Sequence, residues 1–255
     1  MNGAPLPPPA ADWAFFLDVD GTLLEHADTP DAVRVDGAMR RLLSDLQQGA
    51  GGALALISGR SVADVDALFA PLALPAAGQH GAERRDGAGR MHRHAFDEAP
   101  LRRAAARLAA FAAAHPGLLL EDKGRSLALH YRLAPRLEGE ARALVDEVLA
   151  ELGEDFELQR GKMVLELKAG GRDKGCAIAE FMAEPPFRGR VPVFVGDDLT
   201  DELGFGVVNG MGGVSVKVGE GPSQARWRIA DAAAVRAWLA QWASGWGARH
   251  APRSA

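Results

Sequence analysis

Asp18 and Asp20 stand two residues apart at the end of the apolar run Phe15-Phe16-Leu17 and are followed by Gly21-Thr22. Residues i and i+2 of a strand point to the same face, so the two carboxylates converge if extended geometry lasts that far. Two close carboxylates repel unless a cation, a proton or a cationic side chain compensates them. Such oxygen donors suit magnesium, and a carboxylate can also attack a phosphoryl group to form an aspartyl-phosphate. Two more polar clusters close apolar runs: Ser58 after Ala53–Ile57, and Asp197, Asp198 and Asp201 after Val191–Val195. Lys174 precedes the last of them, in the turn leading into a helix. Taken singly, each has a plain structural reading as a solvated corner, a turn residue, a surface lysine or a helix cap. At the ends of three parallel strands they can share one crevice, where a phosphoryl group would find the positive charge and donors it needs.

The elements that must position these groups alternate. The segment Leu23–Val35 reads as a surface loop. Asp36 caps a helix with Met39, Leu42, Leu43 and Leu46 on one face. Ser61 and Asp64 start a short helix through Val65, Leu68 and Phe69, and Leu74–Gly78 is a third strand. This is the pattern of an α/β, doubly wound (Rossmann-like) parallel sheet. From Leu101 the texture changes to helix-strand-strand, twice, with hairpins about Asp122-Lys123-Gly124 and Gly161, an α+β unit of two αββ repeats. The first pattern resumes with a helix through Ile178 and Phe181, strands Val191–Val195 and Val214–Val218, and a helix capped by Asp231 with Val235, Trp238, Leu239 and Trp242 inward. The expected organisation is a flexible leader (1–12), a core (13–95 and 169–242), an inserted cap (96–168) and a disordered tail (243–255). Gly170-Gly171 is a plausible hinge for a cap that closes over the core and expels water.

The 255 residues carry a net charge of -5 and one cysteine. This excludes a basic nucleic-acid footprint and an internal disulfide framework. No apolar run approaches the roughly 20 residues of a membrane span, and the Pro/Ala-rich start lacks the basic region of a secretory signal. A cytoplasmic protein is expected. His92 and His94 alternate in a short extended segment that reads as solvent-facing, Cys176 reads as a small core residue, and the Gly210–Gly213 run lacks the context of a dinucleotide fingerprint.

Asp18-Val19-Asp20-Gly21-Thr22 resembles the first motif of the haloacid-dehalogenase-like (HAD) phosphatase superfamily, and the later clusters match its remaining motifs. The resemblance implies that Asp18 is nucleophile and metal ligand. Asp20 would be general acid and then base, with its backbone carbonyl on the metal. Ser58 would bind the phosphoryl group, Lys174 would neutralise it and orient Asp18, and Asp197 would be the third protein ligand of Mg2+. Asp198 and Asp201 would support metal-bound water or Lys174. Acid chemistry by Asp20 at neutral pH requires a raised pKa.

Further segments are similar to trehalose-6-phosphate phosphatases: Ser58-Gly59-Arg60, Gly78-Gln79-His80-Gly81-Ala82-Glu83, Glu121-Asp122-Lys123, Leu129-His130-Tyr131-Arg132 and Glu166 in Val164-Leu165-Glu166-Leu167. That similarity implies that Glu121, Lys123 and Glu166 grip the distal glucose, with Arg60, Gln79, His80 and Gly81 lining the site from the core. Alternation places Glu166 on the open face of a strand and Lys123 at a free hairpin tip. The partner implied is a small sugar phosphate, with a trehalose-phosphate synthase in the same pathway. Other readings stay open: a phosphatase for sucrose phosphate or mannosylphosphoglycerate, a phospho-accepting signalling domain, and a catalytically silent regulatory subunit.

Overall fold

A computed structural model describes residues 5–8, 10–25, 33–94, 98–153, 155–161 and 163–250, with side chains through 243. In chain order the elements are β1 (Trp13–Asp18), α1 (Gly37–Gly49), β2 (Leu54–Ile57), α2 (Val62–Phe69), β3 (Ala76–Gly78), β4 (Glu83–Arg85) and β5 (Met91–Arg93). Then come α3 (Glu98–Ala114), β6 (Leu119–Asp122), β7 (Ser126–His130), α4 (Glu138–Leu152), β8 (Phe156–Gly161) and β9 (Val164–Ala169). The last are α5 (Lys174–Met182), β10 (Val191–Gly196), α6 (Glu202–Gly210), β11 (Val214–Val218), β12 (Trp227–Ile229) and α7 (Ala232–His250). The chain divides into two compact units, Met1–His92 with Asp173–Ala255, and Arg93–Arg172.

The first unit is built on a sheet of order β12-β11-β10-β1-β2-β3-β4-β5. The strands from β12 to β3 run parallel, and β4 pairs antiparallel with β3. β1 lies centrally and is buried along its whole length, because alternate side chains meet different helices. Phe15 packs edge-on against Trp242 of α7, and Phe16 packs on Phe181 of α5. Both faces of the sheet are therefore covered, as an apolar parallel strand requires. Asp18 falls on the same side as Phe16 by the period of two, the side on which α5 begins.

The second unit is a four-stranded antiparallel sheet of order β6-β7-β9-β8 backed by α3 and α4. Leu127, Leu129, Leu165 and Leu167 face Leu101, Leu108, Val145 and Val148 in one apolar core. The register Ala128 with Glu166 and Gln159 with Glu166 puts Glu121, Ser126, Glu166 and Lys168 on the opposite face.

The α/β core with an inserted α+β unit is thus as expected, and several local readings are corrected. Leu23 and Leu24 are buried, not on a surface loop: both N–H groups return to the Val19 carbonyl, folding the chain back under the motif. Residues 26–32 of that segment lie outside the described residues. The leader is tied down near its end, where Leu6 and Ala10 pack against the core and the Trp242 indole N–H donates to the Ala10 carbonyl. α3 starts at Glu98, before Pro100, because proline is tolerated in a first turn that needs no N–H partner. α7 keeps helical backbone to His250, with no proline before Pro252 to stop it, and residues 251–255 lie outside the described residues. β4, β5 and β12 are three residues each, too short to show a period.

Candidate active site

The carboxyl ends of β1, β2 and β10 carry the site. Extended geometry stops at Asp18, so Asp18 and Asp20 do not act as a pair on one strand face and meet different cations instead. Asp18 Oδ1 accepts a hydrogen bond from Lys174 Nζ at 2.8 Å, and Asp201 Oδ1 accepts another from the same ammonium at 2.6 Å. Lys174 is the first residue of α5, not a turn residue, and it is buried; Asp173 caps the helix through the Cys176 N–H. Cys176 itself is half-buried, because it lies on the rim of α5. Asp20 is held by Arg60 through two contacts of 2.7 Å, Nε to Oδ2 and Nη2 to Oδ1. A bidentate arginine both neutralises and orients a carboxylate.

Ser58 is buried at the end of β2, and its Oγ accepts the Arg60 N–H at 3.1 Å. The next loop is latched to it: the Gln79 N–H donates to the Arg60 carbonyl at 2.8 Å and the His80 N–H to the Ser58 carbonyl at 3.0 Å. Gln79, His80 and Gly81 are three successive residues at positive φ (48°, 56° and 100°). Two of them are not glycine, a conformation kept only where surrounding contacts over-determine it. Just beyond them Glu83 anchors the chain to the start of α2, accepting the Val62 N–H at 2.7 Å.

Asp18, Asp197 and Asp201 form a group whose ligand oxygens all lie within 4.8 Å of one another. Gly21, at φ 87°, permits this approach, since a Cβ there would overlap the Asp197 carboxylate. Burial raises the Asp18 carboxyl well above the usual carboxylate range; Lys174 pulls it down, and the charges of Asp201 and Asp197 push it up again. Asp201 is raised by burial as well, against Lys174. Burial would lower Lys174, but the charges of Asp18 and Asp201 override it and hold the ammonium protonated. Acid therefore exceeds base at this edge.

The donor set fits a hard divalent cation. Asp18 Oδ2 is buried without a hydrogen-bond partner, a costly arrangement unless something else meets it. Both Asp201 oxygens are engaged, one by Lys174 and one by the Asp198 N–H at 2.9 Å, which suits a supporting position. Asp198 caps the turn that follows through the Leu199 N–H. The Asp20 carboxylate is taken by Arg60, so only its backbone carbonyl is left for a metal.

On the polar face of the second unit the expected acids and lysine are paired. Glu166 is buried; its Oε1 accepts from Ser126 Oγ at 2.6 Å and Lys123 Nζ at 3.2 Å. Lys123 is therefore paired at the hairpin, not free at its tip. Glu121 accepts from His130 at 2.9 Å, and this bond, ahead of opposing burial and the Lys123 charge, holds its carboxyl below the usual range. His92 pairs with buried Asp86 at 2.9 Å and stands in no metal cluster among the described residues. Sequence reasoning noticed Glu83 and His130 within similar segments but gave them no role, and it missed Lys217. Lys217 could have been noticed, as a charge within the apolar run Val214–Val218 near its carboxyl end.

The fold is that of the haloacid dehalogenase-like (HAD) hydrolases. The structure superposes on a haloacid dehalogenase-like hydrolase from B. subtilis with a TM-score of 0.62 at 15% identity, covering 89% of this chain and 99% of that one. With a trehalose-6-phosphate phosphatase related protein the TM-score is 0.79 at 28% identity, covering 92% and 98%. The trehalose-phosphatase family matches residues 16–233, and the chain belongs to that family. It is 48% identical to the trehalose-6-phosphate phosphatase of Escherichia coli (strain K12) over 230 residues, 90% of this chain and 86% of that protein. It is 46% identical to a probable trehalose-phosphate phosphatase of Sinorhizobium fredii over 231 residues, 90% and 87%. Among the described residues no helix is long and apolar enough to cross a membrane.

Proposed function

We propose that this chain hydrolyses trehalose 6-phosphate to trehalose and inorganic phosphate, with Mg2+ as cofactor and an aspartyl-phosphate on Asp18. The observation that carries the reading is the buried Asp18 carboxylate, one oxygen on Lys174 and the other without a hydrogen bond, beside Asp197 and Asp201. Magnesium held by Asp18, Asp197 and the Asp20 carbonyl would neutralise phosphoryl charge and the surplus of the acid group. Asp18 attacks phosphorus as the bond to the sugar oxygen breaks, and Asp20 gives that oxygen its proton. Asp20 then takes a proton from the water that attacks the aspartyl-phosphate, which frees phosphate and restores both acids. Lys174 stays charged throughout and keeps Asp18 oriented. Ser58 and Arg60 donate to the phosphoryl oxygens; Arg60 leaves the Asp20 carboxylate to do so, which frees Asp20 to carry the proton.

For the sugar we assign Glu121, Lys123 and Glu166 from the second unit, with Gln79, His80 and Gly81 from the strained loop of the first. What supports this is that Glu121, Lys123 and Glu166 stand in polar, hydrogen-bonding clusters in a chain of the trehalose-phosphatase family. A trehalose-phosphate synthase would supply the substrate. The test is phosphate release from trehalose 6-phosphate and glucose 6-phosphate, with magnesium and with chelator, alongside sucrose phosphate and mannosylphosphoglycerate. Rapid release from trehalose 6-phosphate alone, abolished by chelation, is the expected result. Faster release from another ester would reassign the substrate, and a long-lived phosphoprotein without turnover would replace the enzyme by a signalling domain.

A further inference from the structure

Lys217 lies in β11, the neighbour of β10, and its partner in the register is Gly196, the residue before Asp197. Its side chain is buried, 7% exposed, although it carries an ammonium. The ammonium donates to the backbone carbonyls of Asp197 and, at 2.8 Å, Val218. Both acceptors are neutral. A buried ammonium is tolerated only where it is hydrogen-bonded and where charge of the opposite sign compensates it. The hydrogen bonds are local, and the acid surplus of Asp18, Asp197 and Asp201 supplies the rest.

Asp197 is thus gripped from two sides. Its carboxylate rests where Gly21 has no side chain and accepts from Thr22 Oγ1 at 3.4 Å, both on the loop after β1. Its peptide is held from the other side by Lys217, across the β10–β11 pair. A carboxylate on a strand end has two free side-chain torsions and a peptide that can rock, so fixing the peptide fixes where the oxygens can go.

We propose that Lys217 is a positioning residue for the cation site: it locks the Asp197 peptide so that the carboxylate stands ready beside Asp18. The inference rests on the reading of Asp18 and Asp197 as ligands of Mg2+. Both hydrogen bonds of the Lys217 ammonium go to backbone carbonyls, so the role assigned to it is to position and not to react.

Charge and positioning predict opposite signs, and this makes the idea testable without turnover. If the ammonium acted only through its charge, it would repel the incoming cation, and removing it would tighten magnesium binding. As a positioning residue its loss should weaken binding, by about 10–100-fold as for other groups that orient a metal ligand. The experiment is titration calorimetry of Mg2+ into the full chain without substrate, for wild type, Lys217→Met and Lys217→Ala, with Asp197→Asn as the control that loses binding. Circular dichroism checks each fold. The expected result is a dissociation constant raised about 10–100-fold in whichever of the two Lys217 variants keeps the native spectrum. Unchanged or tighter binding overturns the inference, and so does loss of fold in both variants, since that would make Lys217 a purely structural residue. Absence of saturable binding in wild type would instead strike the metal reading itself, so the two failures are told apart.

Discussion

At the carboxyl edge of the core sheet Asp18, Asp197 and Asp201 crowd together and the Lys174 ammonium bonds two of them. On the polar face of the four-stranded sheet each acid has a basic partner of its own: Glu166 has Lys123, Glu121 has His130, and Glu157 has Lys168 at 3.0 Å. The first arrangement is left incomplete, with a buried Asp18 oxygen that no donor meets. The second is complete within itself. An incomplete, buried acid group is poised to take a cation and develop new charge, the setting in which preorganised electrostatics act most strongly on a reacting group. A balanced polar face can exchange one hydrogen bond for another at little net cost, which suits recognition of hydroxyls more than chemistry. On the proposed reading, incompleteness belongs to turnover and balance to binding.

The largest effect that would test this contrast is Asp18→Asn. Turnover should fall by at least about 10⁴-fold, as for other enzymes that lose their nucleophile. The melting temperature should not drop, because one carboxylate leaves a site with too many. Phosphate release and thermal denaturation together check it, and turnover within tenfold of wild type would erase the distinction. Next in size is Glu166→Gln, which keeps a hydrogen-bonding side chain against Ser126 but loses the charge facing Lys123. The expectation is a KM raised about tenfold, the worth of one hydrogen bond to a charged group, with kcat little changed. Steady-state kinetics on trehalose 6-phosphate would show it; a fall in kcat at constant KM would mean that the balanced face takes part in the chemistry.

The smallest effect comes from a third treatment of an acid. Asp86 is buried; burial alone would raise its carboxyl, but donors from His92, the Arg90 N–H and side chain, and the Ala88 N–H outweigh this and hold it far below the usual range. Its folded pKa is depressed, so its contribution to stability is present above the unfolded value of about 3.9 and is lost as pH falls below it. Asp86→Asn should cost about 1.5–3 kcal/mol near neutral pH and less in acid, flattening the acid limb of a stability profile from denaturant titrations. An undiminished loss at low pH would assign the effect to packing instead.

Much of this was legible before any coordinates. Asp36, Ser61 and Asp173 cap their helices, and the first two are plain from the residue types ahead of an apolar face. The reading went wrong where a local pattern had to be extended across a turn. Asp18 and Asp20 looked like one pair, but backbone bonds from Leu23 and Leu24 to Val19 bend the chain between them. Glu166 looked solvated because alternation tells which face a residue is on and not what covers that face. Lys217 was overlooked since a single charge in a short strand is as often a rim residue.

The residue types at the strand ends were determined by the sequence alone, for a simple reason. Strands β1, β2 and β10 stay apolar until they reach the edge of the sheet, so there the first polar group marks that edge. β11, by contrast, holds Ser215 and Lys217 within its buried run. Which cation meets which acid was decided only in three dimensions. Lys174 reaches Asp18 across 156 positions, Arg60 reaches Asp20 across 40, and Lys123 reaches Glu166 across 43. Those pairings depend on strand order and register, and no local pattern of residues encodes either one.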